Sequence, residues 1–319
     1  TNTLLLNNSR KKNQSSKIIN FNEKYKGLNV IDDSGDYVKL KCNNCNGEYD
    51  IDRSLLFYRF KNDINPCTLC NPVSELKSIK EKELTDFLLS LGLNLIQGDR
   101  DILNGKEIDI LLPDFNIGIE FNGLYWHCEK YVDKDYHLNK TDVCESKGVH
   151  LIHIFEDEWV NNKDIVKSRL KNLFKLTDNK VYGRKCIIKE VNTKDKTKFL
   201  NDNHIQGTIG SKVNLGLYYN DELVSIMTFG KGRVVMNGVK NEWELLRFCN
   251  KINHSVIGGA SKLFKHFIKN YKPNQLISYA DRRWSQGNLY DQLGFNKTHT
   301  STPNYFYVVN NEREHRFKY

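Results

Sequence analysis

The apolar residues that follow position 83 recur at the spacing of one helix face. Leu84, Phe87, Leu88 and Leu91 are separated from one another by one, three, four or seven positions, and Gly92 ends the run. This spacing is typical of an amphipathic helix, and glycine is common just beyond a helix C-terminus. The pattern predicts a helix that buries this face and ends near residue 92.

Two apolar runs further along predict a pair of β-strands. Residues 107–113 and 117–123 are rich in aliphatic side chains, and a short turn at 114–116 separates them. A helix is predicted over 134–147, followed by a strand over 149–155. Helices and strands in this order indicate an α/β domain.

The last third of the chain predicts a second α/β unit, because strand-like runs there flank a polar hairpin turn at 220–222. Its predicted elements are strands over 213–219, 223–229 and 244–249, a helix over 261–269 and a strand over 276–280.

Composition divides the 319 residues into four parts. A polar cluster at 177–180 is the expected hinge between the last two. The predicted parts are a flexible basic arm (1–30), a small metal-binding module (31–73), an α/β domain (74–178) and a second α/β domain (179–319).

The charge balance favours acidic partners. The formal net charge is +9 and the isoelectric point is near 8.9, which suits a polyanion such as nucleic acid. The sequence has no apolar run of the roughly 18 residues that a membrane span requires, and no signal peptide is evident. Four of the eight cysteines are scattered. We therefore expect a reducing, cytoplasmic setting and no membrane partner.

Two CxxC pairs predict a structural zinc site. Cys42 and Cys45 form the first pair, and Cys67 and Cys70 form the second. Two residues between cysteines let one tight knuckle direct both sulfurs to one ion, and two knuckles complete the tetrahedral thiolate set that zinc prefers. The site would hold together a module too small for its own core.

Acidic residues embedded in the apolar strands predict a divalent-metal site. Asp109 and Glu120 stand on the two strands of the expected hairpin, where both can reach one ion. Carboxylate oxygens are the ligands that Mg²⁺ prefers. Glu81 continues the apolar face of the preceding helix, with Glu83 as a less aligned alternative; either could instead be a solvated glutamate.

Three further residues are candidates for the chemistry. His127 follows the acidic strand directly, and a neutral imidazole is a natural base. On the next helix, His137, Lys140 and Cys144 share one face. Lys140 could hold a scissile phosphate there, and His137 is the alternative base.

The segments that carry these residues resemble the Vsr-like endonucleases and, within them, the phage-associated homing endonucleases called the EDxHD group. The resemblance covers about a quarter of the chain and rests on residues 81–84 (EKEL), 107–110 (EIDI), 119–127 (IEFNGLYWH) and 148–159 (GVHLIHIFEDEW).

The resemblance implies the PD-(D/E)XK restriction-endonuclease fold, a mixed sheet flanked by helices. By that likeness Asp109 is the metal-binding aspartate, His127 the general base and Glu81 the helix glutamate. Glu120 takes the place of the second acid. The usual lysine two residues later is Asn122 here, so Lys140 is the candidate replacement.

The C-terminal part resembles the GNAT acetyltransferase fold, in the variant seen in the phage DNA-modification protein Mom. The resemblance rests on the turn at 258–260 (GGA) and on Asn288, Tyr290, Gly294 and Phe295. Ser255 stands where an arginine or glutamine usually opens the phosphate loop, which favours a retained scaffold without acyl transfer.

The same part offers candidate DNA contacts. Lys262, Arg282 and Arg283 supply cations and Trp284 supplies a ring for base stacking. An ion pair between Asp281 and one of the arginines is the structural alternative.

Three functions remain open at this stage. The first is a Mg²⁺-dependent, site-specific endonuclease acting on double-stranded DNA, of the phage homing type. The second is a DNA-base-modifying acyltransferase with a nuclease-like targeting module, and the third is a non-catalytic DNA-binding protein. The target sequence, nicking as against double-strand cutting, and the choice between monomer and homodimer stay undetermined.

Overall fold

The computed structural model describes residues 28–33, 37–61, 64–70, 79–124, 136–231, 242–301, 306–309, 312–315 and 318. The chain divides into two compact units between Glu83 and Leu84. The architecture is mixed α/β, with several sheets flanked by helices. Within the described residues, no helix combines the length and apolarity needed to cross a membrane.

The first unit contains a three-stranded antiparallel sheet in the order β1-β2-β3. Alternate residues of β2, among them Val38 and Leu40, are fully buried, as expected where one sheet face covers a core. Leu56 completes that core from the following helix. The elements are β1 Leu28–Asp32, β2 Tyr37–Cys42, β3 Glu48–Asp52 and α1 Arg53–Lys61.

Helix α2 Ile79–Ser90 crosses the boundary between the units. Leu84 and Leu88 are fully buried in the core of the second unit, which confirms the predicted helix face. Gly92 follows with a φ of +73°, a left-handed conformation that glycine adopts without strain.

The second unit contains a four-stranded mixed sheet in the order β4-β5-β6-β7. Strands β4 to β6 are antiparallel, and β7 lies parallel to β6 at the edge. The predicted hairpin is thus present, with Asn116 left-handed in its turn. The elements are β4 Ile96–Leu103, β5 Lys106–Leu112, β6 Ile117–Asn122, α3 Tyr136–Ser146, β7 His150–Phe155, α4 Glu156–Asn161 and α5 Lys163–Leu173.

The two faces of β6 differ in chemistry. Ile119 and Phe121 join the apolar core that also contains Trp159 and Leu170. Residues on alternate positions of a strand point to opposite faces, so Glu120 and its neighbours at 118 and 122 face the other way. That second face is the one that α3 covers.

A five-stranded sheet in the order β14-β12-β11-β10-β9 follows in the same unit. Its hairpin turn at Asn220 and Asp221 has positive φ at both residues, as a tight two-residue turn requires. The elements are β8 Asn179–Tyr182, β9 Ile187–Glu190, α6 Thr193–Asn203, β10 Val213–Tyr219, β11 Glu222–Lys231, β12 Glu242–Asn250, β13 His254–Ile257, α7 Gly259–Tyr271, β14 Gln275–Ile277, α8 Asn288–Leu293, β15 Phe306–Val309 and β16 Glu312–His315.

The four-stranded and five-stranded sheets of the second unit are packed together. Trp284, which follows β14 in sequence, is buried in the core of the β4–β7 sheet. Asn253 donates its backbone N–H to Ser168 Oγ on α5 at 2.8 Å. The hinge predicted at 177–180 therefore lies inside one compact unit.

Candidate metal centres and active site

The four cysteines of the CxxC pairs converge in the first unit. Their sulfur atoms all lie within 4.8 Å of one another. Cys42 and Cys70 are 3.7 Å apart at Sγ, and Cys45 and Cys67 are 3.8 Å apart. Zinc–sulfur bonds of about 2.3 Å in a tetrahedron separate the sulfurs by about 3.8 Å. The cluster therefore fits a structural zinc ion.

Helix α1 braces the second knuckle of this cluster. Arg59 is fully buried and donates from Nη1 to the carbonyls of Asn65 and Cys67, at 2.9 and 3.2 Å. Asn65 Oδ1 in turn accepts from the backbone N–H of Cys67. These bonds fix the loop that presents Cys67 and Cys70.

Asp109 and Glu120 lie side by side in the second unit. Asp109 Oδ2 accepts a 2.7 Å hydrogen bond from the backbone N–H of Phe121, the residue after Glu120. Burial and the nearby charge of Asp109 raise the pKa of Glu120, and the positive charge of Lys140 opposes that rise. Two carboxylates in this arrangement repel each other, which a bound cation would relieve.

Lys140 supplies a cation to the same place from helix α3. Its Nζ lies 2.6 Å from Glu120 Oε2, and the two side chains are only 5% and 2% exposed. Burial lowers the pKa of Lys140, but the charge of Glu120 outweighs that effect and the net pKa is raised. Lys140 therefore stays protonated beside the acidic pair.

Two oxygen atoms on this face of β6 have no hydrogen-bond partner among the described residues. They are Glu120 Oε1 and Asn122 Oδ1, and both are buried. Buried oxygens are normally satisfied, so an unpartnered pair at alternate positions of one strand calls for an explanation. Both are the hard oxygen type that binds Mg²⁺, and Asp109 adds a third. The donor set therefore fits a hard divalent cation.

His153 is a residue of this site that the sequence reasoning did not single out. It is buried on β7, where its register partner on β6 is Glu120. Asn122 Nδ2 lies 3.2 Å from its Nδ1, and Thr141 Oγ1 lies 2.9 Å from its Nε2. The signal available in the sequence was a histidine inside an apolar strand.

These contacts assign the tautomer of His153. Thr141 Oγ1 donates its single proton to the carbonyl of His137, so it accepts from His153 Nε2–H. Nδ1 then accepts from Asn122. His153 is a neutral ring with both nitrogens engaged, and it connects β6 to α3. Its ring also lies edge-on to that of His137, with 5.4 Å between the centroids.

His127, Glu81 and the alternative Glu83 are the remaining predicted residues. His127 lies outside the described residues. Glu81 is half-buried and Glu83 exposed in the first turns of α2, and both precede the boundary between the compact units. Their catalytic roles stay predictions.

The predicted DNA contacts of the C-terminal part are engaged within the protein. Arg282 Nη2 binds Asp142 and Glu145 on α3, at 2.9 and 2.7 Å. Arg283 binds Asp281 and Glu158, each at 2.9 Å, which is the ion-pair alternative recognised in the sequence.

Lys262 and Trp284 are also occupied. Lys262 Nζ donates to the carbonyls of Gly183 and Cys186, at 3.0 and 2.6 Å. Trp284 is only 7% exposed, so a base has no ring face on which to stack. All four residues thus have partners within the protein, and their contacts with DNA stay a prediction.

The segment at 281–284 instead contacts the candidate active site. The carbonyl of Arg283 accepts from the backbone N–H of His153 at 3.3 Å, and Arg282 binds the helix that carries Lys140. These contacts connect the segment after β14 of the five-stranded sheet to strand β7 and helix α3 of the site.

The glycine turn before α7 is covered by the chain itself. Gly258 has a φ of +73°, and α7 begins at Gly259. A Cβ atom on Gly183 would lie 3.0 Å from the backbone nitrogen of Gly259. The backbone of residue 183 therefore lies against the N–H groups that a phosphate would use.

No family model matches this sequence, and neither does any curated protein. Among solved structures, the catalytic domain of the homing endonuclease I-Bth0305I is 23% identical, with a TM-score of 0.26; the match covers 30% of this chain and 92% of that one. A ribosomal-protein-alanine N-acetyltransferase from Brucella melitensis biovar Abortus 2308 is 16% identical, with a TM-score of 0.30, over 38% of this chain and 99% of that one. At these TM-scores the likenesses carry no functional weight, and function is inferred from the side-chain contacts.

Proposed function

We propose that the chain is a metal-dependent DNA endonuclease that hydrolyses phosphodiester bonds at a site on the α3 face of β6. The observation that carries the proposal is the group of Asp109, Glu120 and Lys140, in which the buried ion pair of Glu120 and Lys140 meets the half-buried carboxylate of Asp109. Buried charges are costly, and such groups are concentrated at functional sites.

Asp109 and Glu120 would hold the metal, with Asn122 Oδ1 as a further oxygen. Mg²⁺ in protein sites is commonly bound through one or two carboxylates together with water and substrate phosphate. When bound, the ion would polarise the phosphodiester and lower the pKa of a coordinated water. The unpartnered Glu120 Oε1 supports this assignment because it is a buried acceptor that lacks a donor.

Lys140 would serve two purposes in this site. Its protonated amine offsets the charge of Glu120 when the metal is absent. With DNA bound, the same amine lies where it can donate to a phosphate oxygen whose negative charge increases in the transition state. A positioned cation of this kind stabilises that charge more strongly in a buried site than in water.

The base that activates water would be His127, with His137 as the alternative. His153 does not suit this role, because both of its ring nitrogens are hydrogen-bonded. It instead holds Asn122 and Thr141 in place, and it is a positioning residue. His137 lies against the His153 ring on α3, the helix that also carries Lys140.

The substrate class is double-stranded DNA, supported by the net charge of +9 and by the resemblance of residues 81–159 to homing endonucleases. Site-specific cutting of the phage homing type is the finer form of the proposal, with the zinc-binding module adding to DNA affinity. The protein would then act in the cytoplasm of a bacterial host. Acyl transfer is not favoured, because residue 183 covers the glycine turn before α7.

The experiment is a plasmid-cleavage assay with the full chain. Supercoiled DNA is incubated with Mg²⁺, with Ca²⁺ and without a divalent ion, and coenzyme A binding is measured in parallel by calorimetry. The proposal expects nicked or linear product with Mg²⁺ alone and no heat from coenzyme A. Coenzyme A binding without any DNA cleavage would instead support the acyltransferase alternative.

A further inference from the structure

A group of basic side chains lies between helix α5 and the five-stranded sheet. Arg169 on α5, Arg247 on β12 and His204 after α6 belong to it. Two hydrogen bonds join the segments that carry these side chains. Asn253 donates its backbone N–H to Ser168 Oγ, and Ile252 donates its backbone N–H to Asn203 Oδ1 at 2.7 Å. The three side chains therefore come from elements that meet at the turn after β12.

Arg169 makes no hydrogen bond or ion pair with any described residue. Its Nε is buried without a partner, and its guanidinium carbon lies 4.6 Å from the centroid of the Trp284 ring. The ring lies against the guanidinium and supplies no carboxylate or carbonyl acceptor. A partly buried guanidinium without an acceptor is costly, unless a ligand supplies one.

Arg247 is held nearby but is not neutralised. Its Nε donates to the carbonyl of Gly207 at 3.3 Å, and its Nη1 donates to the carbonyl of Leu246 at 2.9 Å. It forms no ion pair with a described carboxylate. The charge of Glu244 affects the pKa of Arg247 without an ion pair between them. The charges of Asp281 and Glu158 affect the pKa of Arg169 in the same way, and both carboxylates are already bound by Arg283.

His204 adds a neutral donor. Burial and the positive charges of Arg247 and Arg169 together lower its pKa to about 3. His204 Nδ1 accepts from the backbone N–H of Gln206 at 3.1 Å. The proton of the neutral ring is therefore on Nε2, where it can be donated.

We propose that Arg169, Arg247 and His204 form a phosphate-binding site that takes a backbone phosphodiester of the DNA substrate. The planar forks of two arginines match phosphate oxygens, and such contacts fix the position of a duplex without reading its sequence. The inference rests on the proposed function for its choice of DNA. It also replaces Arg282 and Arg283 with Arg169 and Arg247 as the proposed DNA contacts. Arg282 and Arg283 form ion pairs within the protein, whereas Arg169 and Arg247 form none with the described residues.

The test compares DNA binding by Arg169→Gln, Arg247→Gln and Arg282→Gln in the full chain, without Mg²⁺. Each variant loses one positive charge, so Arg282→Gln controls for long-range electrostatics. The Kd for a labelled duplex is measured over a range of salt concentrations. Each lost phosphate contact lowers the slope of log Kd against log salt by about one. We expect that decrease, with about tenfold weaker binding, for Arg169→Gln and Arg247→Gln but not for Arg282→Gln.

Unchanged slopes for both Arg169→Gln and Arg247→Gln, in variants whose melting temperatures match the wild type, would overturn the inference. A parallel titration with inorganic phosphate, followed by tryptophan fluorescence, separates the two sources of this chemistry. Phosphate binding that is lost in Arg169→Gln while the DNA slope is unchanged would replace DNA with a free phosphate ligand. DNA binding is measured without cleavage, so the two proposals can fail separately. Reduced salt slopes for the two variants, in a protein that cuts no DNA, would reject the proposed function and support the phosphate-binding site.

Discussion

Lys140 Nζ lies 2.6 Å from Glu120 Oε2, and both side chains are nearly closed to solvent. Removing one partner of a buried ion pair leaves an uncompensated charge, which costs about 3–5 kcal/mol. Replacing both partners by uncharged groups removes that cost. The pair can therefore be tested separately for stability and for chemistry.

We predict that Lys140→Met lowers the free energy of unfolding by about 3 kcal/mol and lowers the cleavage rate by at least about 100-fold, a typical value for removing one transition-state donor. The double variant Glu120→Gln/Lys140→Met should recover most of the stability and none of the activity. Urea unfolding and single-turnover cleavage measure the two effects. Recovery of activity together with stability would assign Lys140 a purely structural role.

The two buried histidines of β7 make a matched pair. His153 has a partner on each ring nitrogen, whereas His150 Nε2 is buried without one. His153→Leu should destabilise the protein by about 1–3 kcal/mol, because Asn122 and Thr141 lose their partner. His150→Leu should be neutral or stabilising, because it removes an unsatisfied group. Equal destabilisation of the two variants, measured by urea unfolding, would argue against the assigned hydrogen bonds of His153.

The hydrophobic pattern predicted much of the second unit. Strands over 107–113 and 117–123 and the helix over 261–269 are present, because their apolar spacing matches the faces that they bury. Strand β4 was not predicted, since its centre, Gly98 to Asp101, is polar and lies half-buried or exposed. Local patterns report local periodicity, and an exposed edge strand offers little of it.

The candidate site was predictable where acids interrupt apolar strands, as at Asp109 and Glu120. Lys140 was predicted as well, because it shares one face of the next helix with His137 and Cys144. The roles of Arg282, Arg283 and Trp284 could not be read from the sequence. Their burial and ion pairs depend on residues more than 100 positions away, such as Asp142 and Glu158. For the same reason the unpaired state of Arg169 was not visible.

The cysteine cluster predicts one zinc ion per chain. Cys67→Ser should remove the ion and loosen the first unit, because a structural site contributes folding free energy directly. Cleavage chemistry should survive better than DNA affinity. Cys186→Ser is the control, since Cys186 is a buried thiol outside the cluster. Elemental analysis of freshly purified wild type that found less than about half an equivalent of zinc would contradict the assignment.

The lowered pKa of His204 predicts that the stability of the folded protein falls at acid pH. Burial lowers its pKa from 6.5 to about 3, so between these values the unfolded chain binds a proton that the folded chain does not. The stability that His204 contributes is present above pH 6.5 and is lost as the pH falls towards 3. His204→Asn keeps an acceptor for the Gln206 N–H and should flatten this part of the stability curve. Parallel curves for the two proteins over this range would show that His204 titrates normally.

The most direct test of the endonuclease assignment is plasmid cleavage by Asp109→Ala with Mg²⁺. Asp114→Ala serves as the matched control, because Asp114 is an exposed aspartate in the turn that follows the same strand. The account predicts that Asp109→Ala abolishes cutting while it binds DNA as tightly as the wild type, and that Asp114→Ala cuts normally. Cleavage at the wild-type rate by a folded Asp109→Ala protein would contradict the account.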